Sequence, residues 1–130
     1  MRFSIAAATA ALLALAEARI SFIQVPTEIK VGEPFQADII REGYIQSVYD
    51  VAIVFGYAPA DAYPGTIGQP IDSFYLGPDE SNKDTTLKKF LTVPTDAPKG
   101  KGLITASWTS LYGVSGSPTI TNYNVTVTFV

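Results

Sequence analysis

The stretch NYNVTVTF, Asn122 to Phe129, alternates without a break. Tyr123, Val125, Val127 and Phe129 are apolar or aromatic, while Asn122, Asn124, Thr126 and Thr128 are polar. Successive side chains of an extended chain point to opposite faces, so this segment predicts a strand with one face in a core and the other in water. Working back, a Gly/Ser loop from Gly113 to Pro118 separates it from a strand over Leu103 to Tyr112, which carries the lone tryptophan, Trp108. Pro and Gly mark a turn from Pro94 to Gly102, and Leu87 to Val93 is again strand-like. A polar loop, Asp79 to Asp84, and the Gly77-Pro78 turn precede it, following Ile71 to Leu76.

Further upstream, a Pro/Gly-rich excursion from Ala58 to Pro70 follows Val48 to Tyr57, which is apolar on both faces, as a central strand is. Phe35 to Ile40 sets Phe35, Ala37 and Ile39 against Gln36 and Asp38, and follows a turn at Val31 to Pro34. Ile20 to Val25, closed by Pro26, is the first strand. No helical period survives the Pro and Gly interruptions after Ala18. Some seven short strands in one domain predict an all-β, immunoglobulin-like or fibronectin-like sandwich.

Composition narrows the chemistry. The chain has 130 residues, 47% hydrophobic and 16% charged, and contains neither histidine nor cysteine. No disulfide, thiolate nucleophile, zinc knuckle or Ser-His-Asp triad can be built from it. The side chain best suited to proton transfer near neutral pH is also missing. A net charge of −3 gives no electrostatic footprint for nucleic acid. These residues point to binding rather than catalysis; no catalytic, metal or cofactor residue is expected.

The N-terminus reads as a secretory signal peptide over residues 1–18. Arg2 is its positive region, and Ile5 to Ala16 is apolar except for Thr9. As a helix that run rises about 18 Å, too short for a hydrocarbon core of roughly 30 Å. Ala16-Glu17-Ala18 supplies small residues at the cleavage positions. Residues 19–130 then form one mature domain, large enough to bury a core without disulfides. No later segment resembles a membrane span.

Candidate sites are few. Asn124-Val125-Thr126 is an N-glycosylation sequon on the polar face of the last strand, and its occupancy is open. Asp79, Glu80, Asn82 and Asp84 lack calcium-loop spacing, with Ser81 and Lys83 where ligands are needed, so they read as a solvated loop. Seven tyrosines carry more weight. Tyr57 and Tyr63 bracket the long excursion, and Tyr112 opens the Gly/Ser loop. Tyrosine offers stiff amphipathic contact area on loops, and equally caps a core with its hydroxyl in water.

Five segments resemble the fungal necrosis-inducing secreted protein 1 family. They are ARIS from Ala18, YIQSVYDVAI from Tyr44, SFYLGP from Ser73, SLYG from Ser110 and SPTITNYNVTVT from Ser117. The resemblance implies a small secreted effector of a plant-associated fungus. It further implies suppression of pattern-triggered immunity by binding and inhibiting host receptor-associated kinases, delivery into the host cytoplasm where kinase domains lie, and in some members cell death. It brings no catalytic residues. The segments around Tyr44, Gln46 and Tyr49, and around Tyr112, Ser115 and Ser117, are the candidate partner surface. A thiol-free sandwich would also pass unchanged from an oxidising to a reducing compartment. The alternatives are a carbohydrate- or cell-wall-binding module, stacking sugars on loop tyrosines and Trp108, and a structural protein of the fungal wall. Trp108 in mid-strand fits a core better than a sugar platform.

Overall fold

The computed structural model describes residues 20–41 and 48–130. The expected signal peptide lies outside the described residues. Eight strands occur in the order β1 (Ile20–Gln24), β2 (Glu28–Ile29), β3 (Pro34–Arg41), β4 (Val48–Pro59), β5 (Gln69–Tyr75), β6 (Leu87–Thr92), β7 (Gly100–Tyr112) and β8 (Ser117–Phe129). A short 3-10 turn, Pro78–Glu80, lies between β5 and β6. One sheet has the order β1-β3-β6 and the other β2-β8-β7-β4-β5. All pairings are antiparallel except β2 with β8. Two sheets of three and five strands with these crossovers form an immunoglobulin-like sandwich, as the alternation and turn spacing predict.

The core sits between the sheets. Ile53 and Phe55 from β4, Ile104, Ala106 and Trp108 from β7, and Val127 and Phe129 from β8 face Ala37, Ile39 and Leu91 of the smaller sheet. The inward set on β8 matches the apolar half of the alternation. Phe55 and Phe74 meet edge to face at 6.1 Å. The Lys89 ammonium of β6 lies 4.8 Å from the centre of the Phe74 ring and joins the two sheets at their margin.

Two departures from the sequence expectation are instructive. An eighth strand exists because the chain changes sheets after Pro26, which has no N–H to continue a ladder. Glu28–Ile29 then runs beside the end of β8, with the Thr128 N–H donating to the Thr27 carbonyl (2.8 Å) and the Val130 N–H to the Ile29 carbonyl (2.9 Å). Two residues are too few to show a period. The acidic loop is also more tightly held than a solvated one. Arg41, 5% exposed, donates from Nε to the Thr85 carbonyl (2.7 Å) and from Nη2 to Thr85 Oγ1 (2.8 Å). Its Nη1 donates to the Glu80 carbonyl at 3.2 Å and pairs with the Glu80 carboxylate at 3.7 Å.

Candidate functional site

The best-defined surface is the outward face of the five-stranded sheet, and an irregularity in β4 shapes it. Asp50 pairs with Ser110 and Ala52 with Thr109, which leaves Val51 as the extra residue of a β-bulge. The bulge resets the alternation, so Tyr49 and Ala52 both face outward although three positions separate them. Asp50 turns inward and is 1% exposed. Its Oδ1 accepts from the Trp108 indole N–H at 3.1 Å and from the Ser110 hydroxyl at 2.7 Å, and its Oδ2 accepts from the Asn82 N–H at 3.0 Å. A buried carboxylate without such donors would be costly; with them it fixes the bulge and the loop after β5. Ser81 reinforces that link by donating to the Gly77 carbonyl at 2.6 Å and accepting from the Asp50 N–H at 2.8 Å.

On the outward face the register builds rows across four strands. Tyr49 neighbours Leu111, which neighbours Pro118. In the next row Tyr75, Ala52, Thr109 and Ile120 lie side by side, and then Ser73, Val54, Ser107 and Asn122. Tyr75 and Ile120 are 70% and 69% exposed, unusual for side chains of this size. The Tyr49 and Tyr75 hydroxyls meet at 2.6 Å. This hydrogen bond pushes the Tyr49 phenol above its ordinary value, with partial desolvation and the neighbouring Tyr75 charge adding in the same direction. Gly77, at φ +67°, admits the Tyr75 ring where a Cβ would collide with it.

The other end of this face is covered. The Ala60–Gly68 segment folds back over β4 and β7, and the Ile67 carbonyl accepts from Thr105 Oγ1 at 2.6 Å. Asn122 Nδ2 donates to the Gly65 carbonyl at 3.3 Å. Gly56 permits this approach, because a Cβ there would lie 2.6 Å from the Ile67 carbonyl oxygen. The open area is thus a shallow bay with an aromatic pair on one side and a backbone wall on another. Its composition is also distinctive: no Asp, Glu, Lys or Arg occurs between Gly102 and Val130, so the whole β7–β8 floor from Gly102 onward is uncharged.

The expected surface residues distribute unevenly. Tyr44 and Gln46 lie outside the described residues, while Tyr49 is in the bay. Tyr112 faces the interior side and packs edge to face on Trp108 with ring centres 6.3 Å apart. Ser115 and Ser117 are on or beside the exposed β7–β8 turn, their hydroxyls 3.4 Å apart. Asn124 is exposed on the outward face, opposite Thr105. Trp108 is buried, as its mid-strand position predicts, and cannot serve as a sugar platform. Sequence reasoning misses Tyr75 and Ile120, because only the register between strands brings them beside Tyr49. Asp50 does carry a signal, as the lone charge in the apolar run Val48 to Tyr57.

Comparison with known proteins gives two kinds of likeness. Solved structures of a superoxide reductase (neelaredoxin) from Ignicoccus hospitalis share the fold. One aligns with a TM-score of 0.51 over 83% of this chain and 78% of that one, at 13% identity. A variant of the same reductase aligns with a TM-score of 0.52 over 91% and 86%, at 12% identity. At such identity the likeness is one of fold alone, and a chain without histidine or cysteine has no imidazole or thiolate ligand to offer a redox metal. Sequence relatives are far nearer. Necrosis-inducing secreted protein 1 of Colletotrichum orbiculare is 52% identical over 122 residues, covering 93% of this chain and 75% of its own. The protein of that name from Colletotrichum higginsianum is 50% identical over 128 residues, covering 98% and 88%. Their names describe secreted, necrosis-inducing proteins. The Nis1 family profile matches residues 16–128, and with relatives at this identity over nearly the whole length the chain is a secreted protein of the Nis1 family.

Proposed function

We propose that this chain is a secreted effector that suppresses plant pattern-triggered immunity by seating the outward bay of its five-stranded sheet on host receptor-associated kinases. It inhibits them, and it triggers cell death. The observation that carries the surface assignment is the bay itself. Exposed Tyr75 and Ile120 stand on an uncharged floor, backed by a rigid sheet and the Asp50 cluster. Interface cores are depleted in charge and enriched in tyrosine, and stiff side chains on strands lose little entropy when covered. Family membership supports the effector class, and the kinase partner rests on the resemblance of the sequence motifs.

The test is capture of plant receptor-associated kinase domains on the immobilised protein, with kinase activity measured alongside. Native protein is expected to capture and inhibit them, whereas Thr109→Glu with Ile120→Glu, which charges the bay floor, is expected to do neither. Absence of capture by the native protein rejects the kinase reading. Capture unaffected by the double substitution moves the interface elsewhere.

A further inference from the structure

A second concave site lies at the opposite end of the sandwich from the β7–β8 turn. Its cavity is about 330 Å³. Tyr57 and Phe129, whose rings meet edge to face at 6.2 Å, contribute its aromatic wall. Gly68 and Gly102 also line it, and at Gly102 a Cβ would lie 2.5 Å from the Phe129 ring, so the cavity takes its shape from backbone that carries no side chain. Lys99 and Lys101 also line it, and among the described residues no carboxylate does. In a chain of net charge −3, two lysines line this largely apolar hollow.

We propose that this cavity binds a small organic anion: one aromatic or branched apolar body carrying a carboxylate, sulfonate or phosphate. The apolar walls gain by taking the body out of water, and the ammonium groups select for the negative head. The volume stands at the lower end of ligand sites, enough for a ring and a short chain, so the ligand is a free small molecule rather than a strand or helix of a partner. The site is separate from the outward bay and does not depend on the kinase reading. Nor does it require a metal or any bond-making step.

The experiment uses 15N-labelled protein titrated with 4-phenylbutyrate and, in parallel, with its neutral amide. Saturable shifts of the Gly68, Lys101 and Gly102 amide signals are expected with the acid, which binds about tenfold more tightly than the amide. In Lys99→Gln with Lys101→Gln the acid is expected to lose that advantage, while Lys99→Arg with Lys101→Arg keeps it. Both lysines are exposed, so the spectra of the variants report directly that the fold is retained. The proposal is overturned if acid and amide bind equally, if the shifts cluster away from these residues, or if none appears at millimolar ligand.

Discussion

The indole N–H of Trp108 on β7 donates to the Asp50 carboxylate on β4 at 3.1 Å, joining positions 58 residues apart inside the core. One acidic side chain thereby ties the central pair of strands to the loop after β5, since Ser110 and the Asn82 amide converge on the same carboxylate. Removing it strands three donors in a water-poor site. Asp50→Ala is expected to lose about 3 kcal/mol or more of unfolding free energy in urea titration. Asp50→Asn keeps an acceptor for Trp108 but turns an amide N–H₂ toward the Asn82 N–H, and should lose about 1–3 kcal/mol. A loss below about 0.5 kcal/mol for Asp50→Ala would show that the cluster contributes no net stability.

The tyrosine pair gives a spectroscopic prediction. Its hydrogen bond holds the Tyr49 phenol protonated to higher pH, with Tyr75 as the principal cause. In Tyr75→Phe both that bond and the neighbouring charge vanish, so the Tyr49 titration should move down toward the ordinary phenol value near 10. Ultraviolet absorbance of the phenolate, with Tyr49→Phe used to assign the signal, measures the change. An unchanged Tyr49 titration would exclude the bond in solution.

Burial pushes the Tyr123 phenol up to about 12, with the neighbouring Tyr112 adding to the effect. The folded pKa lies above the unfolded one, so the folded state disfavours the phenolate. The stability linked to this group is complete below about pH 10 and is lost as the pH rises to about 12. Lysines also titrate there, so the diagnostic is the difference from Tyr123→Phe. Denaturant midpoints for the two proteins should diverge from parallel between these limits, and curves that remain parallel would contradict the shift.

Gly56 is required by the wall of the bay rather than by its own backbone. A methyl group there would press on Ile67, so Gly56→Ala should displace the Ala60–Gly68 segment or cost about 1–3 kcal/mol. Hydrogen exchange is the sensitive readout. Faster exchange confined to that segment, with the rest of the sandwich unchanged, is the expected pattern.

Arg41 should behave as a clamp between the smaller sheet and the loop before β6. Arg41→Met fills similar space but gives up donors to Thr85 and Glu80. A loss of about 2–3 kcal/mol is expected, together with protease cleavage within Asp79 to Asp84 that the native protein resists. Glu80→Gln, in contrast, removes only a partly exposed charge and should cost less than about 1 kcal/mol.

Much of the architecture can be read from local pattern. The alternation of Asn122 to Phe129 separates the two faces of β8 correctly, and the two-sided apolar run from Val48 to Tyr57 marks β4 as central. Turn chemistry places most strand ends within a few residues. Gly113 and Gly116 flank the β7–β8 turn with φ of +73° and +68°, where glycine carries no steric penalty. What escapes is information held between strands. The bulge at Val51 inverts the facing of Tyr49 relative to the alternation downstream, and no property of valine signals it. Tyr75 and Ile120 become neighbours of the central strands only through a register that spans four strands. Lys99, Lys101, Tyr57 and Phe129 converge because separate loops and strand ends meet at one end of the sandwich. In each case the decisive quantity is a distance between residues far apart in sequence, which composition and periodicity do not encode.

The uncharged run that begins at Gly102 has a consequence for how the protein meets another surface. Every formal side-chain charge lies in the first 101 residues, so the β7–β8 floor adds no side-chain charge of its own to the contact it makes. Contacts made by that floor itself contain no ion pair for counterions to screen. An association driven by it should keep nearly constant strength from dilute buffer to concentrated salt, and from mildly acidic to neutral pH. Such indifference would suit a secreted protein, whose ionic surroundings change as it leaves the cell.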